Sequence, residues 1–389
     1  MSSKPLIPLR SFKMVNDNLG PGTHARIIEA ACICTLGALL VAGLWPFHVP
    51  KNDVSWVVQG DGLYFGNHGA IISASSFLPQ PDKASGTIEI WLEPSLLRGD
   101  HTILSFDGSA HSGVPFSLRQ INDALIVEQD NEDMNGHSWT AWSVVNGAFR
   151  RGKPVFASIV LAPRHTTVYI DGVFSRDFSI GDSWNNLTGR LVIANSPSSN
   201  DSWSGKIKGM AIYNRQLTEG EVLEHYESWT KTSRPDYTHD QAPLALYRFN
   251  EHAGDTAHNT FNPGIDLKIP TRYFVLHSAC LESIWRSYHP SWSYWEDVTL
   301  NVVGFIPFGF FATAYFSSVR QLRGAAAITV VLGFLISLAI EVLQAFLPTR
   351  DSSMSDLITN TLGTAGGAVL YPLLVRSKWL GVQSEAAIH

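Results

Sequence analysis

Polar residues recur at helical spacing in three apolar stretches near the C-terminal end of this 389-residue chain. Within each stretch they stand at i, i+4 and i+7, which places them on one face of a helix. Such groups can bind a polar ligand or hydrogen-bond to the next helix, because an apolar bundle supplies no water to satisfy them. The three stripes are Asp297, Asn301 and Gly304; Gly333, Ser337, Glu341 and Gln344; and Asp356, Asn360, Gly363 and Gly367.

Glu341 is the most informative member, because a charge inside an apolar helix is costly unless it is paired or faces the bundle interior. Arg350, just beyond that helix, is its predicted partner. We therefore predict a polar pocket, with Glu341, Asp356 and Arg350 as the candidate catalytic groups if a reaction occurs there. The alternative is that these groups only join the helices. The predicted pocket comprises Asp297, Asn301, Glu341, Gln344, Arg350, Asp351, Asp356 and Asn360.

Small residues accompany the polar ones and should let the helices approach closely. Pro307 should kink its own helix. The residues assigned to packing are Gly304, Pro307, Gly309, Gly333, Ser337, Gly363 and Gly367.

Four segments pass the length test of about 20 mostly apolar residues for a membrane-spanning helix. The first follows a polar leader and has no small-residue cleavage site at its exit, so we interpret it as a retained anchor. The last three form a C-terminal membrane domain, residues 298–376. The predicted helices are residues 27–47, 298–316, 324–347 and 357–375.

Basic residues flanking these segments predict the orientation, since cytoplasmic loops carry the excess of Lys and Arg. One topology puts every basic group in the cytoplasm: a cytoplasmic leader (1–26), an extracytoplasmic middle domain and a cytoplasmic tail (377–389). The groups are Lys4, Arg10, Lys13 and Arg26; Arg320 and Arg323; and Arg376 and Lys378.

Composition excludes other classes of protein. The net charge of -6 and the lack of a basic run argue against a nucleic-acid partner. Only three cysteines occur, and none lies in the polar middle of the chain, so no disulfide framework is available there.

The strand and turn patterns of the middle domain, residues 52–269, predict an antiparallel β-sandwich of the jelly-roll type. Residues 87–92 and 167–173 alternate with period two, and Asp171-Gly172 is a typical turn. Residues 270–297 are rich in aromatic side chains, which favours an interfacial segment with a short helix at about 273–287.

Glu128, Asp130 and Glu132 could supply carboxylates to a glycosidase cleft, because alternate residues of a strand share a face. Gln129 and Asn131 stand where apolar residues would be needed, and Asp133, Asn135 and Gly136 follow. The pattern is therefore more typical of a strand entering a solvated loop. The same oxygens could hold Ca²⁺, and no other cofactor is indicated. Exposed tryptophans could stack on sugars, and the candidates are Trp139, Trp142, Trp184 and Trp203.

The middle domain resembles the laminin G-like, concanavalin A-like jelly rolls. The likeness rests on residues 86–91, 168–173, 203–217 and 246–251, with a short helix expected at 219–229. The resemblance implies a fold often used for carbohydrate or protein recognition, although a fold alone fixes no ligand.

The C-terminal helices resemble the VanZ-like membrane family, and the first helix is expected to complete a four-helix bundle. The motif elements are Asn301 to Phe310, Glu341 to Gln344, Pro348 to Arg350, and Asp356 through Asn360 to Gly363 and Gly367. The family takes its name from an accessory factor of glycopeptide resistance, which implies a role in the bacterial envelope.

Three hypotheses follow, and they leave open whether the chain is an enzyme. The first is an inner-membrane envelope protein whose jelly roll binds glycan or an envelope or polysaccharide-export protein. Its bundle would bind membrane lipid, as a lipid-linked saccharide or lipid phosphate. The second is a membrane enzyme acting on a polyprenyl-phosphate-linked envelope precursor. The third is a membrane-anchored glycosidase.

Overall fold

A computed structural model describes residues 21–78, 85–108, 115–132, 138–163, 165–179, 187–232, 242–284 and 292–386. The chain divides into two compact units. The β unit comprises residues 46–279 and 345–351, and the helical unit comprises 1–45, 280–344 and 352–389.

The β unit contains two antiparallel sheets of eight strands each among the described residues, which confirms the predicted sandwich. The first sheet has the order β1-β2-β13-β4-β9-β10-β11, with β14 also paired to β13. The second has the order β15-β16-β3-β12-β5-β6-β7-β8. The strands are β1 Val54–Trp56, β2 Leu63–Phe65, β3 Ile71–Ser73, β4 Gly86–Pro94, β5 Asp100–Phe106, β6 Phe116–Ile121, β7 Ala124–Glu132, β8 Ser138–Val145, β9 Val155–Ala162, β10 His165–Ile170, β11 Val173–Phe178, β12 Leu191–Ile193, β13 Gly205–Tyr213, β14 Ala245–Tyr247, β15 Thr256–Ala257 and β16 Leu267–Lys268.

Alternation along the strands builds the core between the sheets. On β4, Ile88, Ile90 and Leu92 point inward and join one large apolar cluster. The β10–β11 turn is formed by Asp171 and Gly172, which both have positive φ, as a two-residue hairpin requires.

A short helix, α2 (Glu219–Glu227), covers part of the first sheet's outer face. Thr218 and Glu221 form a reciprocal capping box at its start. Beneath it, the fully buried Glu89 of β4 receives a hydrogen bond from the Tyr213 hydroxyl and lies 3.1 Å from Nδ1 of His225. These partners allow an outward-facing carboxylate to be buried.

The helical unit contains four helices that are long and apolar enough to cross a membrane. They are α1 Pro21–Leu44, α3 Trp292–Ala314, α4 Ala325–Gln344 and α5 Met354–Ala386. A π-helical turn, Tyr315–Val319, extends α3, and the apolar part of α5 ends at Val375. Of the predicted leader, residues 1–20 lie outside the described part of the chain.

Several predicted boundaries are wrong. The first helix ends at Leu44 rather than residue 47, because Pro46 lacks an N–H and Phe47 has positive φ. No helix covers residues 273–283, whereas α3 begins at Trp292, inside the predicted interfacial segment. Residues 285–291, which include Trp285 and Tyr288, lie outside the described residues. The predicted tail is helical as far as Ala386.

Glycines bring α3 and α5 together backbone to backbone. A Cβ added to Gly309 would overlap the carbonyl of Thr364, and one at Gly363 would overlap the carbonyl of Val302. A Cβ at Gly367 would overlap the carbonyl of Ile306. These contacts require glycine because the helices approach too closely for any side chain.

Three further residues assigned to packing behave differently. Gly333 of α4 faces the Thr364 side chain, 2.5 Å from where its Cβ would lie. At Gly304 a Cβ would meet no described atom within 4 Å, so the structure gives this residue no packing role among the described residues. Pro307 is exposed, and α3 continues through it.

Adjacent glycines of α5 provide a test of this packing. We expect Gly367→Ala to destabilise the bundle by about 1–3 kcal/mol, because the methyl group has no space. Gly366→Ala is the matched control, since its Cβ would lie 3.9 Å from Ile306 and the alanine favours the helix. Unfolding of purified protein in mixed detergent micelles measures both. Equal stability of the two variants would contradict the close approach.

Candidate functional site

The predicted polar stripes meet at the end of the helical unit where α1 and α4 end and α5 begins. Glu341, only 1% exposed, accepts a hydrogen bond at Oε2 from the backbone N–H of Ser353, at 2.9 Å. Because Ser353 immediately precedes α5, the buried carboxyl group of Glu341 lies at the start of that helix, where backbone N–H groups lack partners within the helix.

The turn that receives Glu341 is itself well ordered by hydrogen bonds. The Ser353 hydroxyl accepts the N–H of Ser355 at 3.0 Å and so caps α5. The Ser352 hydroxyl accepts the N–H of Leu281 at 3.0 Å, and Glu282 pairs with Ser353 as an isolated parallel bridge. The carboxylate is therefore held by a preformed helix start.

Gln344 supplies a hydrogen-bond donor at the end of another helix, α1. Its Nε2 donates to the carbonyl of Gly43 at 2.9 Å, in the last turn of α1, where carbonyls lack partners within the helix. The hydrogen bond ties α4 to α1. Its Oε1 is buried without a hydrogen-bond partner among the described residues.

Two more stripe residues join α5 to its neighbours. Asn301 of α3 donates from Nδ2 to Oδ1 of Asp356 at 2.9 Å. Asn360 donates from Nδ2 to the Ser337 hydroxyl of α4 at 3.0 Å, and its Oδ1 has no hydrogen-bond partner within the described chain. Asp297 is exposed, and the structure does not bring it into this network of the described residues. Asn301, Gln344 and Asn360 therefore join neighbouring helices, and a ligand pocket at the stripe stays a prediction.

Arg350 and Asp351 belong to the β unit, in its short segment 345–351. Within that segment the N–H of Arg350 donates to the carbonyl of Leu347 at 2.9 Å. The hydroxyl of Thr349 has no hydrogen-bond partner among the described residues. The pairing of Arg350 with Glu341 stays a prediction.

The second candidate site lies on the outer face of the second sheet. Gln129 is fully buried on the inner side, so Glu128 and Asp130 face outward. Glu128 accepts hydrogen bonds from the Ser117 hydroxyl at 2.8 Å and from Nε1 of Trp142 at 3.1 Å. Asp130 accepts the Thr140 hydroxyl at 2.8 Å.

β7 continues to Glu132, paired with Ser138 of β8, so the three carboxylates lie on a strand, and the loop expected after them falls outside the described residues. The side chains of Asn131 and Glu132 lie outside the described part of the structure, as do Asp133, Asn135 and Gly136.

The exposed fraction of each tryptophan side chain distinguishes the candidates for stacking on sugars, which the sequence alone could not distinguish. Trp142 is 56% exposed and Trp139 is 52% exposed, both on β8. Trp203 is 1% exposed and belongs to the core. Trp184 lies outside the described residues. Among the described candidates, Trp142 is the one hydrogen-bonded to a described carboxylate of the candidate site.

Arg119 of β6 organises the charges around this face. Its guanidinium lies 2.9 Å from Asp100, 3.2 Å from Asp201 and 3.4 Å from Glu128. Burial lowers the pKa of Arg119, but the charges of Asp201, Asp100 and Glu128 outweigh it and raise that pKa. One cation therefore fixes three carboxylates.

Asp100 and Asp201 also line a cleft of about 220 Å³ at one end of the sandwich. Asn200, another lining residue, accepts the hydroxyl of Tyr273 at 2.7 Å. Burial raises the pKa of Tyr273, and the charges of Asp201 and Asp351 add to the effect. The sequence did not point to this cleft. It is lined by Asn67, His68, Leu96, Asp100, His101, Gln120, Asn200, Asp201, Ser202, Trp203 and Ser204.

No group of three or more His, Cys, Asp or Glu side chains in the described residues is arranged to hold a metal ion. The predicted Ca²⁺ site in the jelly roll therefore gains no ligand set from the described carboxylates.

Comparison with known families supports both resemblances. Residues 244–375 match the VanZ/LLP1 family. Residues 65–223 match the concanavalin A-like lectin/glucanases superfamily. Neither match covers half of the chain, and the first begins within the predicted jelly-roll region, at β14. A search of curated proteins found no match.

Solved structures give more distant similarities. A putative carbohydrate binding protein from Bacteroides ovatus ATCC 8483 matches at 13% identity over 56% of this chain and 58% of that chain, with a TM-score of 0.36. The botulinum neurotoxin serotype D binding domain matches at 14% identity over 46% of each chain, with a TM-score of 0.33. The chain spans about half the length of these structures, and likeness at this level identifies no ligand.

The cap at α5 predicts a stability effect. We expect Glu341→Ala to lower the free energy of unfolding by about 1–3 kcal/mol, because the partly buried Ser353 N–H loses its acceptor. Glu341→Gln should cost less, since it keeps an acceptor oxygen. Leu343→Ala, at a 49% exposed position of the same helix, is the control. Unfolding in mixed micelles measures all three, and a Glu341→Ala effect no larger than the control would count against the cap.

Proposed function

We propose that this chain, which joins a VanZ-like membrane domain to a concanavalin A-like jelly roll, is a glycan-binding protein of the bacterial envelope. The jelly roll would bind the glycan outside the cytoplasm, and the helical bundle would hold it at the inner membrane. Multi-pass insertion with both termini in the cytoplasm is the orientation that the flanking basic residues favour.

The observation that carries the proposal is the exposed indole of Trp142 beside fixed carboxylates. A half-exposed tryptophan offers a flat apolar surface at low conformational cost, and carbohydrate rings have apolar faces that stack on such surfaces. The indole is held in place because its Nε1 donates to Oε1 of Glu128. Its orientation is therefore set before a ligand arrives, which reduces the entropy cost of binding.

Neighbouring polar groups suit sugar hydroxyls. Asp130 and Thr140 stand on the same face of the sheet as Trp142, according to the register of β7 and β8, while the buried Ser117 supports Glu128 from below. Carboxylates and hydroxyls can accept or exchange hydrogen bonds with the hydroxyls of a glycan. A ring platform bordered by such groups is the usual composition of a polar ligand site.

Removal of the platform tests the proposal. We expect Trp142→Ala to weaken binding of the full chain in nanodiscs to soluble bacterial polysaccharides about tenfold, equivalent to ~1.4 kcal/mol. Phe174→Ala is the matched control, because this β11 aromatic is also about half exposed. Biolayer interferometry against a panel of immobilised polysaccharides measures both. Equal binding by the two variants, or no binding by the unaltered chain, would overturn the proposal.

A second candidate function is recognition of a lipid phosphate or lipid-linked saccharide by the segment 345–351. Arg350 offers the planar guanidinium that suits phosphate, and the adjacent Thr349 hydroxyl is buried without a partner among the described residues. A phosphate oxygen would satisfy that hydroxyl. A reaction on such a lipid, with Glu341 or Asp356 as base, is a further step for which no nucleophile motif speaks.

Polyprenyl phosphate embedded in nanodiscs is the probe for this second function. We expect Arg350→Ala to reduce association with nanodisc-embedded polyprenyl phosphate about tenfold, and Thr349→Val to reduce it less, because one charged and one neutral hydrogen bond are removed. Arg323→Ala, in the link between α3 and α4, is the control. Equal association of Arg350→Ala and Arg323→Ala would exclude this role for the segment.

The glycosidase alternative finds less support. Of its proposed carboxylates, Glu128 is engaged by Ser117, Arg119 and Trp142, and Asp130 by Thr140. These bonds hold both carboxylates in place, which suits binding. A general acid needs a raised pKa and a free path to the glycosidic oxygen.

A further inference from the structure

The cleft at the end of the sandwich is connected to the Trp142 face through Arg119. The Nη2 atom of Arg119 contacts Asp100 and Asp201, which line the cleft. Its Nη1 atom contacts Glu128, which accepts the hydrogen bond of Trp142. The two sites therefore share one fixed cation. An elongated ligand that lies on Trp142 could continue toward the cleft along the same charged strip.

The interior of the cleft offers both acceptors and donors. Asp100 uses Oδ1 for Arg119, and no described residue occupies its Oδ2. The Asn200 amide accepts at Oδ1 from Tyr273, while its Nδ2 donates to no described residue. His101 uses only one ring nitrogen, at 3.0 Å from the carbonyl of Arg98. Hydroxyl groups match such a mixed array, because each both donates and accepts.

The cleft also has a rigid floor and an apolar wall. Trp203 is buried beneath it and donates from Nε1 to Oε1 of Gln120, whose Nε2 in turn donates to the carbonyls of Leu96 and Asn122. The side chain of Leu96 is 43% exposed and forms the apolar side. These groups are locked by their own hydrogen bonds, so the floor does not need to reorganise on binding.

Size and charge narrow the class of ligand. The volume of about 220 Å³ lies below the ~300–1,000 Å³ of pockets for drug-sized molecules, so the cleft suits one small ring. Three carboxylates surround the single Arg119, which leaves a local excess of negative charge. That excess disfavours anionic ligands such as uronic acids or phosphates.

We infer that the cleft between Asn67, Asp100 and Asn200 binds one uncharged hexose unit of the glycan. The inference rests on the proposed glycan-binding function and deepens it, since it assigns a second subsite and rejects acidic sugars there. The Trp142 face would provide stacking along the chain, and the cleft would select the identity of one unit.

Monosaccharides test the cleft separately from the platform. Saturation-transfer NMR and calorimetry of the full chain in nanodiscs would use glucose, N-acetylglucosamine and glucuronic acid at millimolar concentrations. We expect at least one neutral hexose to bind and glucuronic acid not to bind. Asp100→Ala should weaken the binding about tenfold by removing a charged acceptor. Asn67→Trp should abolish it by filling the cleft from an exposed position.

Val173→Thr, on the 64% exposed first position of β11, is the control and should bind as the unaltered chain does. Unfolding midpoints of all variants show whether the sandwich is intact. The inference is overturned if no neutral hexose binds, if glucuronic acid binds as well as the neutral hexoses, or if Asp100→Ala and Asn67→Trp both bind like the control.

The two proposals fail separately. Loss of polysaccharide binding in Trp142→Ala, without any binding of monosaccharides, would retain the platform and reject the cleft. Binding of a hexose that Asp100→Ala weakens, together with an unaffected Trp142→Ala, would retain the cleft and reject the platform.

Discussion

The structure depends on one constraint: polar groups inside a lipid-facing bundle must find partners within the protein, because hydrocarbon supplies none. Glu341 meets it through the start of α5, where the Ser353 N–H donates to the carboxyl group. Gln344 meets it at the end of α1, through the Gly43 carbonyl. A side chain of one helix thus supplies the partner that the end of another helix lacks. Asn301 of α3 likewise donates to Asp356 of α5, and the glycines of these two helices allow their close approach.

The same constraint also applies to the backbone of the β-sandwich. Its sheets end in the edge strands β8, β11, β1 and β15, and such unpaired edges are not tolerated in hydrocarbon. The sandwich therefore needs water around it, and there its charges can serve recognition. Arg119 holds Asp100, Asp201 and Glu128 in fixed positions without hiding them, since its ion pairs are partly exposed. Surface ion pairs of this kind add little stability, which favours a role in arranging a binding surface.

The sequence predicted the helices and strands better than the contacts that their side chains make. Period-two alternation identified β4 and the β10–β11 hairpin, and helical spacing identified the inward face of α4, because both patterns are local. The partner of Glu341 could not be read in the same way, since spacing shows which side chains face inward but not which helix end lies opposite. Trp142 and Trp203 are indistinguishable by sequence, and strand register alone exposes one and buries the other. The cleft was missed because its residues come from strand ends and loops near residues 67, 100, 120 and 202, which only the fold brings together.

Hydrogen exchange at the Ser353 amide tests the central claim most directly. In the full chain in lipid nanodiscs, this N–H should exchange slowly because the buried Glu341 carboxylate accepts it. In Glu341→Ala, exchange should accelerate at residues 352–356 while the α3 amides of residues 308–312 stay protected. A Ser353 amide that exchanges at the rate of an unprotected loop in the unaltered chain would contradict the account.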